Sequence, residues 1–169
     1  SIWEDKTIDK SNIKIDYVLK SVDDIWGADD DTDIEYMYQY LHNFHKTNVL
    51  TPSQIREGWL NHIHIEEENY LWVSNQRALD LMLEGFEPPE TSNPEKNEFY
   101  DMIDAQLTTE IFGLFSPANP NFSIDMARLP IKTTARKEAQ EIAEFYVRMY
   151  SNASNPKKFK SIKEKILWL

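Results

Sequence analysis

Residues 27–36 read Gly-Ala-Asp-Asp-Asp-Thr-Asp-Ile-Glu-Tyr, and the prediction of the fold starts from this stretch. Four carboxylates fall within five positions: Asp29, Asp30, Asp31 and Asp33. The apolar residues that follow recur at helical spacing: Ile34, Met37, Tyr38 and Leu41. This pattern predicts a helix over about 33–46, entered from an acidic loop. Water, a helix N-terminus or a cation must offset the repulsion in such a loop.

Signals for helix starts and stops occur along the rest of the chain. Thr51-Pro52-Ser53-Gln54 combines an N-cap, a Pro at the first helical position and a capping-box Gln, which predicts a helix ending near 66–68. Gly85 is the predicted C-cap of the next helix. The further predicted helices cover about 70–84, 97–112, 120–129 and 134–152, with a last one from 155. Residues 12–19 fit a short strand or a helix. We therefore predict an all-α fold, a single helical domain over residues 1–169.

Composition narrows the possible classes of protein. Of the 169 residues, 41% are apolar and 12% aromatic, enough for a real core. The absence of Cys excludes disulfides, zinc–thiolate sites and Cys nucleophiles, and fits a cytoplasmic location. No apolar run approaches the roughly 18 residues of a membrane span, so no membrane partner is expected. Because the chain opens on Ser1, we expect a longer gene product.

The charge argues against a nucleic-acid partner. The net charge is −11, whereas a general nucleic-acid binder is normally basic. The one basic cluster lies near the C-terminus: Lys157, Lys158, Lys160, Lys163 and Lys165. A solvated face of a terminal helix explains it better than an RNA or phosphate contact.

The acidic loop has a capping and a metal-binding interpretation. Asp31 or Thr32 would cap the helix, with Asp33 and Glu35 facing its dipole. An Mg²⁺ site needs one or two carboxylates with waters, which adjacent Asp residues on a turn can provide. A calcium EF-hand fails, because its required Gly and Glu positions hold Ile34 and Tyr40. Residue chemistry alone leaves both interpretations open.

Other candidate side chains carry weaker signals. Two pairs of His, His42 with His45 and His62 with His64, could form a zinc site, but two residues two apart on a helix face different ways. Ordinary helix positions explain them better. Trp26 beside the acidic loop could stack on a base, and a core position is favoured.

Several short motifs follow one another in a recognisable order. Asp29-Asp-Asp-Thr32 before an apolar helix resembles a Thr-Asp-Asp-Thr metal loop, and Gly85-Phe-Glu-Pro-Pro-Glu-Thr91 a Gly-x-x-Pro-Pro-x-Thr loop. Asp104-Ala-Gln-Leu-Thr-Thr-Glu-Ile-Phe-Gly113 resembles a Gly-Ala-Gln-Ile-x-x-Glu-x-x-Gly helix. Ser116-Pro-Ala-Asn-Pro120 resembles a Pro-Gly-x-Pro turn. In this order, over about residues 27–150, they resemble the ADP-ribosylglycohydrolase family.

The resemblance implies an all-α fold, a pair of Mg²⁺ ions, and hydrolysis of the glycosidic bond joining ADP-ribose to a modified residue or small molecule. Asp29, Asp30 and Asp31 would be metal ligands. Four further residues would support the site or bind the ligand: Thr32, Asp33, Gln106 and Glu110. For Gln106 and Glu110, a hydrogen-bonded pair that ties helices together is an equally good interpretation.

The sequence also departs from the family. The family's Gly-rich opening segment and its closing Asp-x-Asp-Thr segment have no counterparts here, so a second chain or a segment outside this one would have to complete the metal site. Arg136 falls near the family's His. It could contact a phosphate, although a surface or salt-bridged Arg is the plainer alternative. No catalytic residue is assigned, and a catalytically inactive relative that binds ADP-ribose or has a structural role remains the alternative.

Overall fold

The computed structural model describes residues 28–64 and 70–155, and within these ranges the chain is all-α, as predicted. The described ranges contain seven α-helices: α1 Asp30–His45, α2 Pro52–His62, α3 Val73–Leu83, α4 Asp104–Thr109, α5 Ile111–Phe115, α6 Pro120–Thr134 and α7 Lys137–Ala153. A 3₁₀ turn, Glu90–Ser92, lies between α3 and α4. None of these helices is long and apolar enough to cross a membrane. Our predictions for 12–19, Trp26 and the last helix lie outside the described residues.

Two helix ends match their local sequence signals. At the start of α2, Gln54 N donates to Thr51 Oγ1 at 3.3 Å, and Thr51 N donates to Gln54 Oε1 at 2.9 Å. This reciprocal pair is the predicted capping box. After α3, Gly85 adopts a φ of 101°, which favours glycine, and the amides of Gly85 and Phe86 bond back to Met82 and Leu81. The helix thus closes in a Schellman motif around Gly85, one residue after the cap Glu84.

The start of α1 differs from the prediction. The helix begins at Asp30, and Asp29 is its N-cap, with Oδ1 accepting from Thr32 N at 3.1 Å. The expected caps Asp31 and Thr32, and the dipole-facing Asp33, are therefore one to three residues inside the helix. Any of the successive acids can cap, and the one whose backbone is extended, Asp29, does so.

The helix expected over 97–112 is broken into turns followed by α4 and α5. Asn97 is fully buried, and its side chain donates to Thr91 O at 3.1 Å and Ser74 O at 3.4 Å. Its Oδ1 accepts from Phe99 N. These bonds hold the backbone in a turn, because a short amide side chain competes with helical hydrogen bonds.

The core is one apolar cluster to which all seven helices contribute. Its largest fully buried side chains are Trp59, Tyr38, Phe112, Ile34, Leu50 and Ile55. On α7 the buried face is made of small residues, Ala139, Ala143, Val147 and Ser151. The larger apolar side chains Ile142 and Phe145 lie on the exposed side of this helix.

Close packing explains that small-residue face. A Cβ on Gly113 of α5 would lie 2.5 Å from Val147 O and 2.6 Å from Tyr150 Cβ. The backbones of α5 and α7 are therefore in contact, and only small side chains fit between them. On α3, Leu79 is buried, whereas Leu83 and the cap residue Trp72 are exposed.

Candidate functional site

The three predicted metal ligands occupy three different environments at the start of α1. Asp29 is exposed and caps the helix. Asp30 is buried, with 7% of its surface exposed. Asp31 is partly buried on the next position of the first turn. The consecutive acids therefore diverge, because successive helical residues point about 100° apart.

Asp30 reaches the N-terminus of α3. Its Oδ2 accepts from Trp72 N at 2.7 Å and from Asn75 Nδ2 at 2.9 Å. The cap residue of α3, Trp72, has no side-chain oxygen, so the free amides of the first turn need outside acceptors. A carboxylate from α1 provides one of them, and it also complements the positive end of the α3 dipole.

Asp104, at the start of α4, provides the second acceptor. Its Oδ2 accepts from Ser74 N at 2.9 Å and Asn75 N at 3.3 Å, and the Ser74 hydroxyl also donates to it. Burial raises the pKa of Asp104, while the bonds from Ser74 and Asn75 lower it. We did not predict this role for Asp104, although it opens the 104–113 motif, because its partners lie about 30 residues earlier.

Asn75 lies between the two carboxylates. Its side chain donates to Asp30, its backbone donates to Asp104, and the residue is fully buried. Its Oδ1 has no hydrogen-bond partner within the described ranges. An unpaired buried amide oxygen costs about 1–3 kcal/mol. Asn75 therefore links the two carboxylates and keeps one unpaired buried oxygen.

A second group of carboxyls lies on the neighbouring face of α1. Burial, followed by the charges of Asp30, Asp29 and Asp104, raises the pKa of Asp31 to about 6. Burial, followed by the charges of Glu35 and Asp31, raises the pKa of Glu110 to about 7. Asp31 is thus linked by charge to five other carboxyls, and we call these six groups the acidic cluster: Asp29, Asp30, Asp31, Glu35, Asp104 and Glu110.

The Ile111 backbone amide and the Tyr150 hydroxyl border the acidic cluster. Burial raises the pKa of Glu35, while the Ile111 backbone amide lowers it. On α7, burial and then the charges of Glu110 and Glu35 raise the pKa of Tyr150. The cluster therefore lies between α1, the α4–α5 junction and α7. We did not predict that Tyr150 would be a neighbour.

The donor chemistry of the acidic cluster fits Mg²⁺. Its carboxylates, with Asn75 Oδ1 nearby, are the hard oxygen ligands that this ion takes. Among residues 28–64 and 70–155, however, no three Asp, Glu or His side chains converge closely enough to hold a metal ion. The carboxylates of the described ranges therefore do not form a metal site by themselves.

The remaining predicted site residues are divided between the cluster and other surfaces. Thr32 belongs to the capping turn, where its amide and hydroxyl lower the pKa of Asp29. Asp33 lines a separate cavity with Tyr36 and Tyr40. Gln106 lines another, between Ile103 and Ile142. Of the four supporting residues predicted from the sequence, Thr32, Asp33, Gln106 and Glu110, Glu110 alone belongs to the acidic cluster.

Arg136 is the N-cap residue of α7 and contacts a loop rather than the acidic cluster. Its guanidinium donates to Pro89 O, and its backbone N donates to Tyr100 O at 3.0 Å. Burial lowers the pKa of Arg136, and the charge of Glu90 raises it. These contacts tie the 88–92 loop to α7, which favours the structural interpretation.

The histidines do not assemble into a zinc site among the described residues. His42 Nδ1 lies 2.7 Å from Thr47 O, and its ring stands edge-on to Phe112 and Phe115. His62 stands edge-on to Tyr40, with 4.9 Å between ring centroids. Both are ordinary packed or aromatic positions, as we predicted for the His pairs.

Comparison with protein-family models, with curated proteins and with solved structures finds no match to this chain.

Proposed function

We propose that this chain carries part of an Mg²⁺-dependent hydrolase that cleaves the glycosidic bond between ADP-ribose and a modified residue or small molecule. The observation that carries the proposal is the acidic cluster: the Asp29–Asp31 loop meets Glu110, from the 104–113 motif, with carboxyls that raise one another's pKa values. The ordered motifs over 27–150 point to the same chemistry.

In this proposal Asp29, Asp30 and Asp31 hold the metal, together with acids from a second chain or from segments outside the described residues. When bound, the ions would fix ribose hydroxyls and activate a water. The chain's own contribution is orientation. Trp72 N and Asn75 Nδ2 both bond Asp30 Oδ2, which fixes that carboxylate so that its other oxygen keeps one direction.

Glu110 is the carboxyl best suited to exchange a proton near neutral pH. Its pKa is raised to about 7 by burial and by the charges of Glu35 and Asp31, and a general acid or base works best near the operating pH. Breaking a ribosyl bond develops oxocarbenium character, and the leaving group needs a proton. We assign Glu110 Oε as the site that would hold that proton.

A second function is a catalytically inactive ADP-ribose-binding or structural protein. The observation that favours it is the use of Asp30 and Asp104 as caps for α3, which explains two of the six acids without a ligand. Arg136 stands near the position of the family's His, and its guanidinium donates to Pro89 O. This structural contact also favours the inactive alternative.

An assay of hydrolysis distinguishes the proposed hydrolase from the inactive alternative. The full-length protein containing this chain would be incubated with ADP-ribosylated arginine and serine peptides, with Mg²⁺ or with EDTA. We expect Mg²⁺-dependent release of ADP-ribose, and its loss in Asp31→Asn. Asp125→Asn is the matched control, because Asp125 is an exposed α6 acid whose ion pair is with Arg128, three residues along the same helix.

Asp31 is a better probe than Asp30. An Asp30→Asn change would place an amide against Trp72 N and Asn75 Nδ2, so a loss of activity could come from a damaged fold. Equal release by wild type and Asp31→Asn would contradict the metal assignment. No release by a folded full-length protein that still binds ADP-ribose would favour the inactive alternative.

A further inference from the structure

The outer face of α1 carries aromatic side chains where a surface helix usually carries polar ones. Tyr36 is 71% exposed, Tyr40 40% and Phe44 64%, at four-residue spacing. The rings of Tyr40 and Phe44 stack with centroids 5.6 Å apart and planes at 18°. Such a face is unusual, because exposed helix positions are normally charged or polar.

A cavity of about 350 Å³ opens on this face. Five residues line it: Asp33, Tyr36, Met37, Tyr40 and His62. Met37 is almost fully buried and forms an apolar floor, while the two tyrosines supply ring surfaces. The volume lies in the range of small-molecule sites. We call this cavity the aromatic pocket.

The chemistry of the lining selects a cation. Aromatic faces attract cations through the ring quadrupole, and Asp33 is the acid in the lining. The acidic cluster begins on the same helix, and the chain carries a net charge of −11, which raises the local concentration of cations. A carboxylate beside ring faces suits a planar guanidinium, which can stack and donate two parallel hydrogen bonds.

We propose that the aromatic pocket binds a guanidinium group, with the exposed ring of Tyr36 stacking on its plane and Asp33 accepting its N–H groups. This site is distinct from the acidic cluster, since none of the five residues that line the pocket belongs to that cluster. The inference therefore does not rest on the proposed hydrolase function.

The test uses methylguanidinium and its neutral isostere methylurea, titrated into the isotope-labelled protein and followed by amide chemical shifts. We expect methylguanidinium to shift the amides of residues 33–40 and 62 with a Kd on the order of 1 mM. Methylurea should bind about ten-fold more weakly, because it lacks the charge. Tetramethylammonium, which cannot donate hydrogen bonds, should fall between them.

Two variants locate the site. Tyr36→Leu keeps apolar bulk at an exposed position and removes a ring, and Asp33→Asn removes the charge. Each should weaken methylguanidinium binding by about three- to ten-fold. Phe145→Leu, at an exposed aromatic position on α7, should leave it unchanged. Equal binding of methylurea, shifts that map elsewhere, or variants with unchanged affinity would each overturn the proposal.

Discussion

Asp30 and Asp104 differ from Asp31 and Glu110, although all four belong to one acidic cluster. The first two each accept hydrogen bonds from the N-terminus of α3. For Asp31 and Glu110, burial and neighbouring charges raise the pKa values, to about 6 and about 7. Backbone amides and a helix dipole thus offset part of the cost of burying Asp30 and Asp104, although burial still leaves the pKa of Asp104 raised. The charges of Asp31 and Glu110 are disfavoured both by burial and by their neighbours.

The difference separates structure from candidate function. The acids that cap α3 hold three helices together, and their removal should unfold the site. The acids without such donors weaken the fold when ionised, which is typical of groups kept for binding or chemistry. Each prediction below acts on one of the two pairs.

The largest expected effect is on the capping pair. Asp104→Ala leaves Ser74 N and Asn75 N without an acceptor in a buried place. Each unsatisfied buried donor costs about 1–3 kcal/mol, so the free energy of unfolding should fall by about 2–4 kcal/mol. Urea denaturation measures it, with Asp101→Asn on the exposed turn before α4 as the control. A loss below about 0.5 kcal/mol would show that these bonds do not stabilise α3.

Removing a charge from the other pair, Asp31 and Glu110, should increase the free energy of unfolding. Glu110→Gln removes a charge that its neighbours disfavour, so the variant should be more stable than wild type at pH 8. We expect the free energy of unfolding to rise by about 1 kcal/mol. This is well below the value obtained by converting the whole pKa shift of Glu110 at about 1.4 kcal/mol per pKa unit, because solvent screens a partly exposed group. The gain should shrink as the pH falls and vanish below about pH 4, where the carboxyl is protonated in the unfolded state as well as in the native state. A loss of stability at pH 8 would contradict the comparison.

A smaller effect should appear in the pH dependence of wild type. For an acid with a raised pKa, the native state binds more protons than the unfolded state. The Asp31 and Glu110 contribution should therefore increase stability as the pH falls from above 7 toward 4.5. His42 opposes this below about pH 6.5, because burial lowers its pKa and favours the neutral ring. Thermal unfolding from pH 8 to 5 measures the sum, and the increase should disappear in an Asp31→Asn, Glu110→Gln double variant.

Local features of the fold could be predicted from the sequence, and contacts between distant segments could not. The capping box of Thr51 and Gln54 involves residues three apart, and the turn at Gly85 depends on one φ angle, so their sequences specify them. Asp104 meets Ser74 across about 30 residues, and no spacing within the sequence shows it. The break at Asn97 and the close approach at Gly113 likewise depend on partners elsewhere in the fold.

The acidic loop shows the same limit at the candidate site. Its composition predicted a cluster of carboxylates at a helix start, and the structure places one there. The extended backbone of Asp29 makes this residue the cap of α1. The N-terminus of α3 determines that Asp30 accepts hydrogen bonds there. The separation of Asp33 into a different cavity follows from its position on α1, because residues two apart face opposite sides of a helix and Asp31 and Glu35 share the other side.

The central claim is that the acidic cluster contributes to an Mg²⁺-dependent ADP-ribose site. Isothermal titration calorimetry of ADP-ribose into the full-length protein tests it most directly, with Mg²⁺ and with EDTA, for wild type, Asp31→Asn and the Asp125→Asn control. We predict binding by wild type and Asp125→Asn that needs Mg²⁺, and weak or no binding by a folded Asp31→Asn. Binding that is the same in all three proteins, with or without Mg²⁺, would contradict the account.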